Sequence, residues 1–188
     1  MSGWAKRARQ VGRKGFTIIE LAVVVGIILL MVIVGLPFFT AMMQNSQLDG
    51  ATRQLAGDVR DARSLATQSG WQYQIVGFNA GGGSTYKNQY RMLGRSSSGV
   101  GWPANTGPSF NFPTPPGGAT QMAGPWINFN RIYPDISLNP SNSNPSFYVS
   151  FSSQGVSFES MSFPLQLSNQ SGGSRQVSVT SAGSVRIQ

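Results

Sequence analysis

The most prominent feature of the hydrophobic pattern is one long apolar segment near the N-terminus. Leu21 to Phe39 is an unbroken run of 19 apolar, glycine or proline residues, LAVVVGIILLMVIVGLPFF. At about 1.5 Å per residue, a helix of this length spans roughly 28 Å, close to the thickness of the hydrocarbon core of a bilayer. The pattern predicts a membrane-spanning helix.

An amphipathic pattern follows the apolar run. Apolar residues recur at spacings of three and four, as in a helix that rests one face on a globular domain. Gly70 is a suitable terminator, because glycine readily adopts the left-handed conformation that ends helices. Pro37 predicts a helix kink or a locally unwound segment near Gly35–Pro37, because proline removes a backbone hydrogen bond and clashes with the preceding turn. The apolar positions are Leu48, Ala51, Leu55, Val59, Ala62, Leu65 and Ala66.

From Trp71 onward the pattern changes to short runs rich in β-branched and aromatic residues, separated by Gly, Pro, Ser and Asn. Such runs predict an antiparallel sheet. Gly94–Met122 and Ser137–Ser146 have the composition of exposed loops, the first with a candidate hairpin near Phe110–Phe112. The expected fold is therefore α+β, a long N-terminal helix packed on a small antiparallel β-sheet head. The expected strands are Gln72–Phe78, Gln89–Leu93, Trp126–Phe129, Phe147–Phe151, Phe163–Leu167, Gln176–Thr180 and Ser184–Ile187.

The positive charge of the chain is concentrated before the apolar run. The formal net charge is +8, but five of the 14 Lys and Arg residues lie in the first 15 positions, so the chain from Phe16 onward carries +3. The positive-inside rule then places the N-terminus in the cytoplasm and the C-terminus outside. An ordinary secretory signal is disfavoured, because no A-x-A-like cleavage site follows Phe39. A plain N-terminal anchor is the other alternative.

Glu20 argues against a plain anchor. A carboxylate costs on the order of 2.5–3.5 kcal/mol near the bilayer centre and less near the interface. No Lys or Arg that could pair with it occurs between Lys14 and Arg53. An α-amino group, created by cleavage just upstream, is a candidate partner.

The residues around Glu20 resemble a known processing signal. The stretch Lys14-Gly15-Phe16-Thr17-Ile18-Ile19-Glu20, followed by the apolar run, resembles the class III signal of type IV pilins and pseudopilins. In that family a membrane-embedded prepilin peptidase cuts after the glycine and methylates the new N-terminal amine. The resemblance implies cleavage between Gly15 and Phe16, N-methylation of Phe16, and pairing of Glu20 with the Phe16 amine of a neighbouring subunit, which sets the axial register. Pro37 matches the helix-breaking proline of the family.

Four later segments resemble the H-type minor pseudopilin group (GspH/FimT). They are LAGDVRDARSLATQSG at Leu55–Gly70, the Tyr-containing strand that follows it, the Phe-x-x-x-Gly at Phe151 to Gly155, and the terminal Ser181–Arg186. The implied organisation is a leader at 1–15, a transmembrane and filament-core helix at 16–40, an amphipathic helix at 41–70, and an exposed β-rich head at 71–188 with a long loop at about 94–122.

The resemblance implies a structural role. The chain would be a minor pilin or pseudopilin subunit that assembles through its N-terminal helix into a type II secretion pseudopilus or a type IV pilus; a major pilin is the structural alternative. The implied partners are the prepilin peptidase, other pilin or pseudopilin subunits, an inner-membrane assembly platform and inner-membrane lipid. The implied location is the bacterial inner membrane, with the N-terminus cytoplasmic and the head periplasmic, and then the filament.

The composition gives no support to an enzyme. The chain has no Cys and no His, and the head contains only two acids, Asp135 and Glu159. The common nucleophile–base pairs and Cys/His metal sites are therefore unavailable, and we expect neither catalysis nor a metal or cofactor. Gly81-Gly82-Gly83-Ser84 lacks the lysine of a phosphate-binding loop and is interpreted as a hairpin turn.

A DNA-binding minor pilin for DNA uptake is the alternative from another class of function, and a mildly basic surface with ordinary core aromatics is favoured over it. The head carries six cations against two acids, and Trp102 and Trp126 could add stacking. One branch of the resembled group binds DNA through a C-terminal G-R-x-R element. The matching stretch here is Gly183-Ser184-Val185-Arg186, so only Arg186 is retained, and DNA contact is expected to be weak and is not favoured. The cations are Lys87, Arg91, Arg95, Arg131, Arg175 and Arg186.

The charged residues of the amphipathic helix leave two interpretations open. They could form contacts between neighbouring subunits, or a solvated face with weak i,i+3 and i,i+4 pairs. These residues are Arg53, Asp58, Arg60, Asp61 and Arg63.

Overall fold

The computed structural model describes residues 15–81, 85–103, 119–140, 144–161 and 163–188. The chain divides into two compact units, Met1–Thr40 and Ala41–Gln188. The longest helix, α1 (Ile18–Ser69), contributes residues to both units.

In the first unit, the apolar side chains of α1 are exposed. Their exposed fractions run from 45% at Val24 to 89% at Ile18. The helix is long and apolar enough to cross a membrane, and no residue of its most apolar segment is buried within the structure. Residues 35–37 are helical, so the structure does not show the local unwinding expected there. The kink at Pro37 stays a prediction.

In the second unit, α1 buries one apolar face. Of the seven apolar positions identified from the spacing, six are at most 1% exposed, and Leu65 is partly buried against the same core. Thr52 is also buried, and its hydroxyl donates to the Leu48 carbonyl oxygen at 2.7 Å, which satisfies it within the helix. At the end of the helix, Gly70 has φ +73° and its N–H donates to the Ala66 carbonyl oxygen. The amphipathic helix and its glycine terminator are confirmed.

Two antiparallel sheets form the rest of this unit. The first has the order β3-β2-β1-β6-β7, with β4 also paired to β2, and the second has the order β10-β9-β8-β5. A single helical turn, α2 (Phe129–Ile132), follows β4. The strands are β1 (Gln72–Phe78), β2 (Gln89–Arg95), β3 (Gln121–Ala123), β4 (Ile127–Asn128), β5 (Ile136–Pro140), β6 (Ser146–Phe151), β7 (Ser157–Met161), β8 (Leu165–Asn169), β9 (Ser174–Val179) and β10 (Val185–Ile187).

One hydrophobic core joins α1 to both sheets. It contains Leu55 and Val59 of the helix, Ile75 and Val149 of the first sheet, and Leu167 of the second, each at most 1% exposed. Ile75 pairs with Met92 on β2 and with Val149 on β6, so β1 is central in its sheet. The α+β class, with a helix packed on antiparallel sheets, is confirmed.

The head differs from the expected one in having two sheets and three unexpected strands, β3, β5 and β7. Ser137–Ser146 was expected to be a loop, but its first part lies in β5, where Ile136, Leu138 and Pro140 point inward. Polar Ser and Asn occupy the alternate positions, which are less buried. Because of these polar residues, the composition of the segment does not reveal the alternating pattern of a strand. Both ends of Gly94–Met122 are also in strands, paired as Arg95 with Gln121. The candidate hairpin at 110–112 lies outside the described residues.

Two expected strands have different bounds. The segment Trp126–Phe129 forms only the short strand β4, because Phe129 begins the helical turn α2 and is fully buried there. The segment Phe163–Leu167 enters the sheet only at Leu165. Pro164 has no N–H to donate to a ladder, which accounts for the later start.

Candidate functional site

The first turn of α1 holds Glu20 in a reciprocal cap. The backbone N–H and the hydroxyl of Thr17 both donate to Glu20 Oε2 at 3.4 Å, and the Glu20 N–H donates to Thr17 Oγ1 at 3.3 Å. This is the capping box of a Thr-x-x-Glu sequence, in which each residue satisfies an N–H group that the helix leaves free. The Thr-x-x-Glu spacing is visible in the sequence. It makes Thr17 a local partner of Glu20, whereas the sequence was searched only for a cationic partner.

The predicted cleavage site lies just before this cap. Phe16 is 81% exposed, and apart from its chain neighbours no atom of the described residues lies within 4 Å of the position that a Cβ on Gly15 would occupy. Within the described residues, no other part of the chain therefore covers Gly15. An amine created by cleavage would be the α-amino group of Phe16, the residue directly before the capping residue Thr17.

Three of the five charged residues named on the amphipathic part of α1 contact the head of the same chain, an arrangement that neither interpretation of the sequence anticipated. Arg63 Nε donates to the Gly155 carbonyl oxygen at 2.9 Å, and its Nη2 donates to the Ala182 carbonyl oxygen at 3.2 Å. Arg60 Nη2 donates to the Val185 carbonyl oxygen at 3.4 Å. Asp58 accepts a short hydrogen bond from the Tyr90 hydroxyl. The remaining two, Arg53 and Asp61, are exposed.

Arg63 brings together three of the four segments that resemble the H-type group. Gly155 and Gly183 have φ angles of +74° and +78°, a conformation in which a side chain is strained. A Cβ on Gly183 would overlap the Gly155 carbonyl oxygen, and one on Gly155 would lie 2.8 Å from Thr67 Cγ2. Both glycines therefore allow the two loops to close around the Arg63 side chain.

Half of the six head cations have partners within the chain. Arg91 is fully buried, its guanidinium lies 5.1 Å from the Trp126 ring centroid, and burial lowers its pKa. Arg95 lies 4.2 Å from the Trp102 centroid and donates to the Val100 carbonyl oxygen at 3.1 Å. Arg175 forms an ion pair of 3.0 Å with Asp49. The exposed cations of the described head are Lys87, Arg131 and Arg186.

Trp102 and Trp126 do not form an open surface on which nucleic-acid bases could stack. Trp126 stacks on Tyr86 with a centroid separation of 4.3 Å, and Trp102 is covered by the Arg95 guanidinium. Arg186 lies on β10, where it is exposed and its backbone pairs with Ser178. Trp102 and Trp126 therefore contact other side chains of the head, so the stacking that the DNA-binding alternative would need from them has no support in the structure.

The Asp58 carboxyl lies in a partly buried environment beside Tyr90. Burial raises the pKa of Asp58, the hydrogen bond from Tyr90 opposes that rise, and the charge of Asp61 adds to it. Burial and the neighbouring Asp58 carboxylate raise the pKa of Tyr90. Within the described ranges, no three or more acidic side chains cluster closely enough to hold a metal ion.

Comparison with known proteins gives one structural similarity. No family model matches the sequence, and no curated protein sequence matches it. The type IV minor pilin FimU of Pseudomonas aeruginosa superposes with a TM-score of 0.47 and 13% sequence identity, over 78% of this chain and 92% of that chain.

Proposed function

We propose that this chain is the precursor of a pilin-like filament subunit, cleaved between Gly15 and Phe16 and N-methylated at Phe16. One observation carries the proposal. The Gly15-Phe16 motif immediately precedes a helix whose first half exposes its apolar side chains and whose last part is buried in a globular head.

The exposed apolar surface requires a cover. Contiguous apolar patches larger than a few hundred Å² on soluble monomers mark membrane or protein interfaces. A lipid bilayer covers the helix Ile18–Phe39 before assembly, and the helices of neighbouring subunits cover it afterwards. The same apolar surface therefore suits both the membrane-anchored precursor and the filament core.

Glu20 provides the polar contact of this core. In the isolated helix its carboxylate caps the first turn through Thr17. In the filament, the carboxylate accepts a charge-assisted hydrogen bond from the Phe16 amine of a neighbouring subunit. A charge pair is worth more in such a low-dielectric setting than in water, and it fixes the axial register because only one offset brings the groups together.

The subunit is a minor pilin or pseudopilin of the H type, in a type II secretion pseudopilus or a type IV pilus. The junction at Arg63 supports the subgroup, because three of the four segments that resemble it meet there. In this role the chain is inserted in the inner membrane with its N-terminus cytoplasmic. Its partners are the prepilin peptidase, the assembly platform and other subunits.

Mass spectrometry of the membrane-extracted protein tests the proposal. The expected product begins at Phe16 and carries one methyl group. Gly15→Leu should leave the leader attached, because a branched side chain beside the scissile bond does not fit a site that accepts glycine. Gly12→Leu is the matched control and should be processed normally. An intact leader on assembled wild-type protein would contradict the proposal.

A further inference from the structure

A small cavity lies between the last third of α1 and the first sheet. Its volume is about 240 Å³. The walls are mainly apolar, and two carboxylates of α1, Asp58 and Asp61, also line the cavity. The apolar walls are formed by Leu65, Ile75, Met92, Pro125 and Ile127.

The two carboxylates have no cationic partner in the described part of the chain. There, the one ion pair joins Arg175 to Asp49. Asp58 and Asp61 are three residues apart on one helix, so they are neighbours on its surface. Asp58 accepts from the Tyr90 hydroxyl, and Asp61 is exposed. The cavity thus combines apolar walls with two like charges that a cation would stabilise.

The volume limits the size of the occupant. Sites for drug-sized ligands are usually about 300–1,000 Å³. A cavity of about 240 Å³ suits a single large side chain. The residues enriched at the centres of protein interfaces are Trp, Tyr and Arg, and of these only arginine carries a positive charge that complements the two carboxylates.

We propose that this cavity binds an arginine side chain presented by another protein chain. The three methylenes of the arginine lie along the apolar walls, and the planar guanidinium donates to Asp58 and Asp61. Arginine is favoured over lysine because its fork of N–H groups reaches two carboxylates at once, and because guanidinium is more weakly hydrated than ammonium. The complementary charge argues for this occupant over an apolar side chain.

Small analogues of the side chain test this chemistry. The full chain in nonionic micelles, labelled at the methionine methyl groups, is titrated with propylguanidinium, with butylammonium and with the neutral isostere propylurea. The reporter is the methyl signal of Met92, assigned with Met92→Leu. We expect a saturable shift with propylguanidinium, and binding at least tenfold weaker for the other two compounds.

Variants separate charge from shape. Asp61→Asn, at an exposed position, should weaken propylguanidinium binding several-fold and leave propylurea unchanged. Asp58→Asn with Asp61→Asn should abolish the preference. Three results would overturn the proposal. Propylurea binding as tightly as propylguanidinium would show a merely apolar cavity, and butylammonium binding as tightly or more tightly would show a point-charge site. The absence of a saturable shift would show that the cavity does not bind the side chain. The experiment requires neither cleavage nor assembly, so its failure would leave the filament role untouched.

Discussion

Glu20 and Asp58 are two carboxylates of the same helix in opposite surroundings. Glu20 is exposed and caps the first turn through Thr17. Asp58 is half-buried beside Tyr90, and burial raises its pKa. Substitutions to the corresponding amides remove the charge at each position and keep an oxygen that can accept a hydrogen bond, so they separate the effect of charge from the effect of hydrogen bonding.

Glu20→Gln should keep the cap and lose assembly. Glutamine is accepted at this position of a capping box, so the helix should still form, insert and be cleaved. The charge pair with a neighbouring Phe16 amine would be lost, so incorporation into sheared filaments should fail, as it should for Glu20→Leu. Glu20→Asp should be intermediate because its shorter side chain reaches less far. Normal incorporation of Glu20→Gln would show that capping alone accounts for the residue.

Asp58 should make stability depend on pH. Its pKa in the native state lies above the unfolded value of about 3.9, so the native state binds this proton more tightly. Stability from this group is therefore greatest at low pH and decreases as pH rises from the unfolded pKa through the native one. Asp58→Asn has no titrating carboxyl at this position, so its free energy of unfolding should rise relative to that of the wild type over this pH range. Unfolding free energies of both chains in micelles, measured from pH 3.5 to 7, check this, and a difference independent of pH would contradict it.

At the scale of the elements, the end of α1 is held by loops from both sheets. Arg63 contacts carbonyl oxygens that lie 92 and 119 residues further along the chain. Gly155 lies in the turn between β6 and β7, and Gly183 lies in the turn between β9 and β10. The end of α1 therefore links the two sheets at this edge.

Gly183→Ala should destabilise the head more than Gly172→Ala. Both glycines have positive φ angles, +78° and +87°, so each alanine incurs a conformational cost of roughly 1 kcal/mol. At Gly172 no atom lies within 4 Å of the new Cβ, whereas at Gly183 it would overlap the Gly155 carbonyl oxygen. We expect the Gly183 variant to lose at least about 1 kcal/mol more in chemical denaturation. Equal losses would mean that the loops separate freely and that Arg63 does not hold them.

At the scale of the whole molecule, the distribution of positive charge over the described head leads us to expect weak DNA binding. The exposed cations of the described head are Lys87, Arg131 and Arg186, and three of the six head cations are occupied within the chain. If at most these three contact phosphates, the logarithm of the binding constant should fall with the logarithm of salt with a slope of at most about −3.

Fluorescence anisotropy with labelled duplex DNA measures this slope. We expect affinity weaker than micromolar at physiological salt and a loss of less than tenfold in Arg186→Ala. Submicromolar affinity that disappears in Arg186→Ala would favour the DNA-uptake function over a purely structural one.

The sequence by itself determined the features that depend on neighbours a few residues away. The spacing of Leu48, Leu55 and Val59 predicted the buried face of α1, and Gly70 predicted its end, because both follow from helix geometry. Strands rich in β-branched and aromatic residues, such as β1 and β6, were predicted for the same local reason. The cleavage motif at Gly15 is equally local, and it remains a prediction.

Only the tertiary structure decided the features built from distant residues. In β5, Ile136 and Leu138 are buried in the core, and less buried polar residues alternate with them. The strand forms by pairing with β8, which begins at Leu165. The buried Arg91, the Arg63 junction and the cavity beside Asp58 each combine side chains from separate elements. No local period encodes such contacts, because they depend on how α1 and two sheets pack around one core.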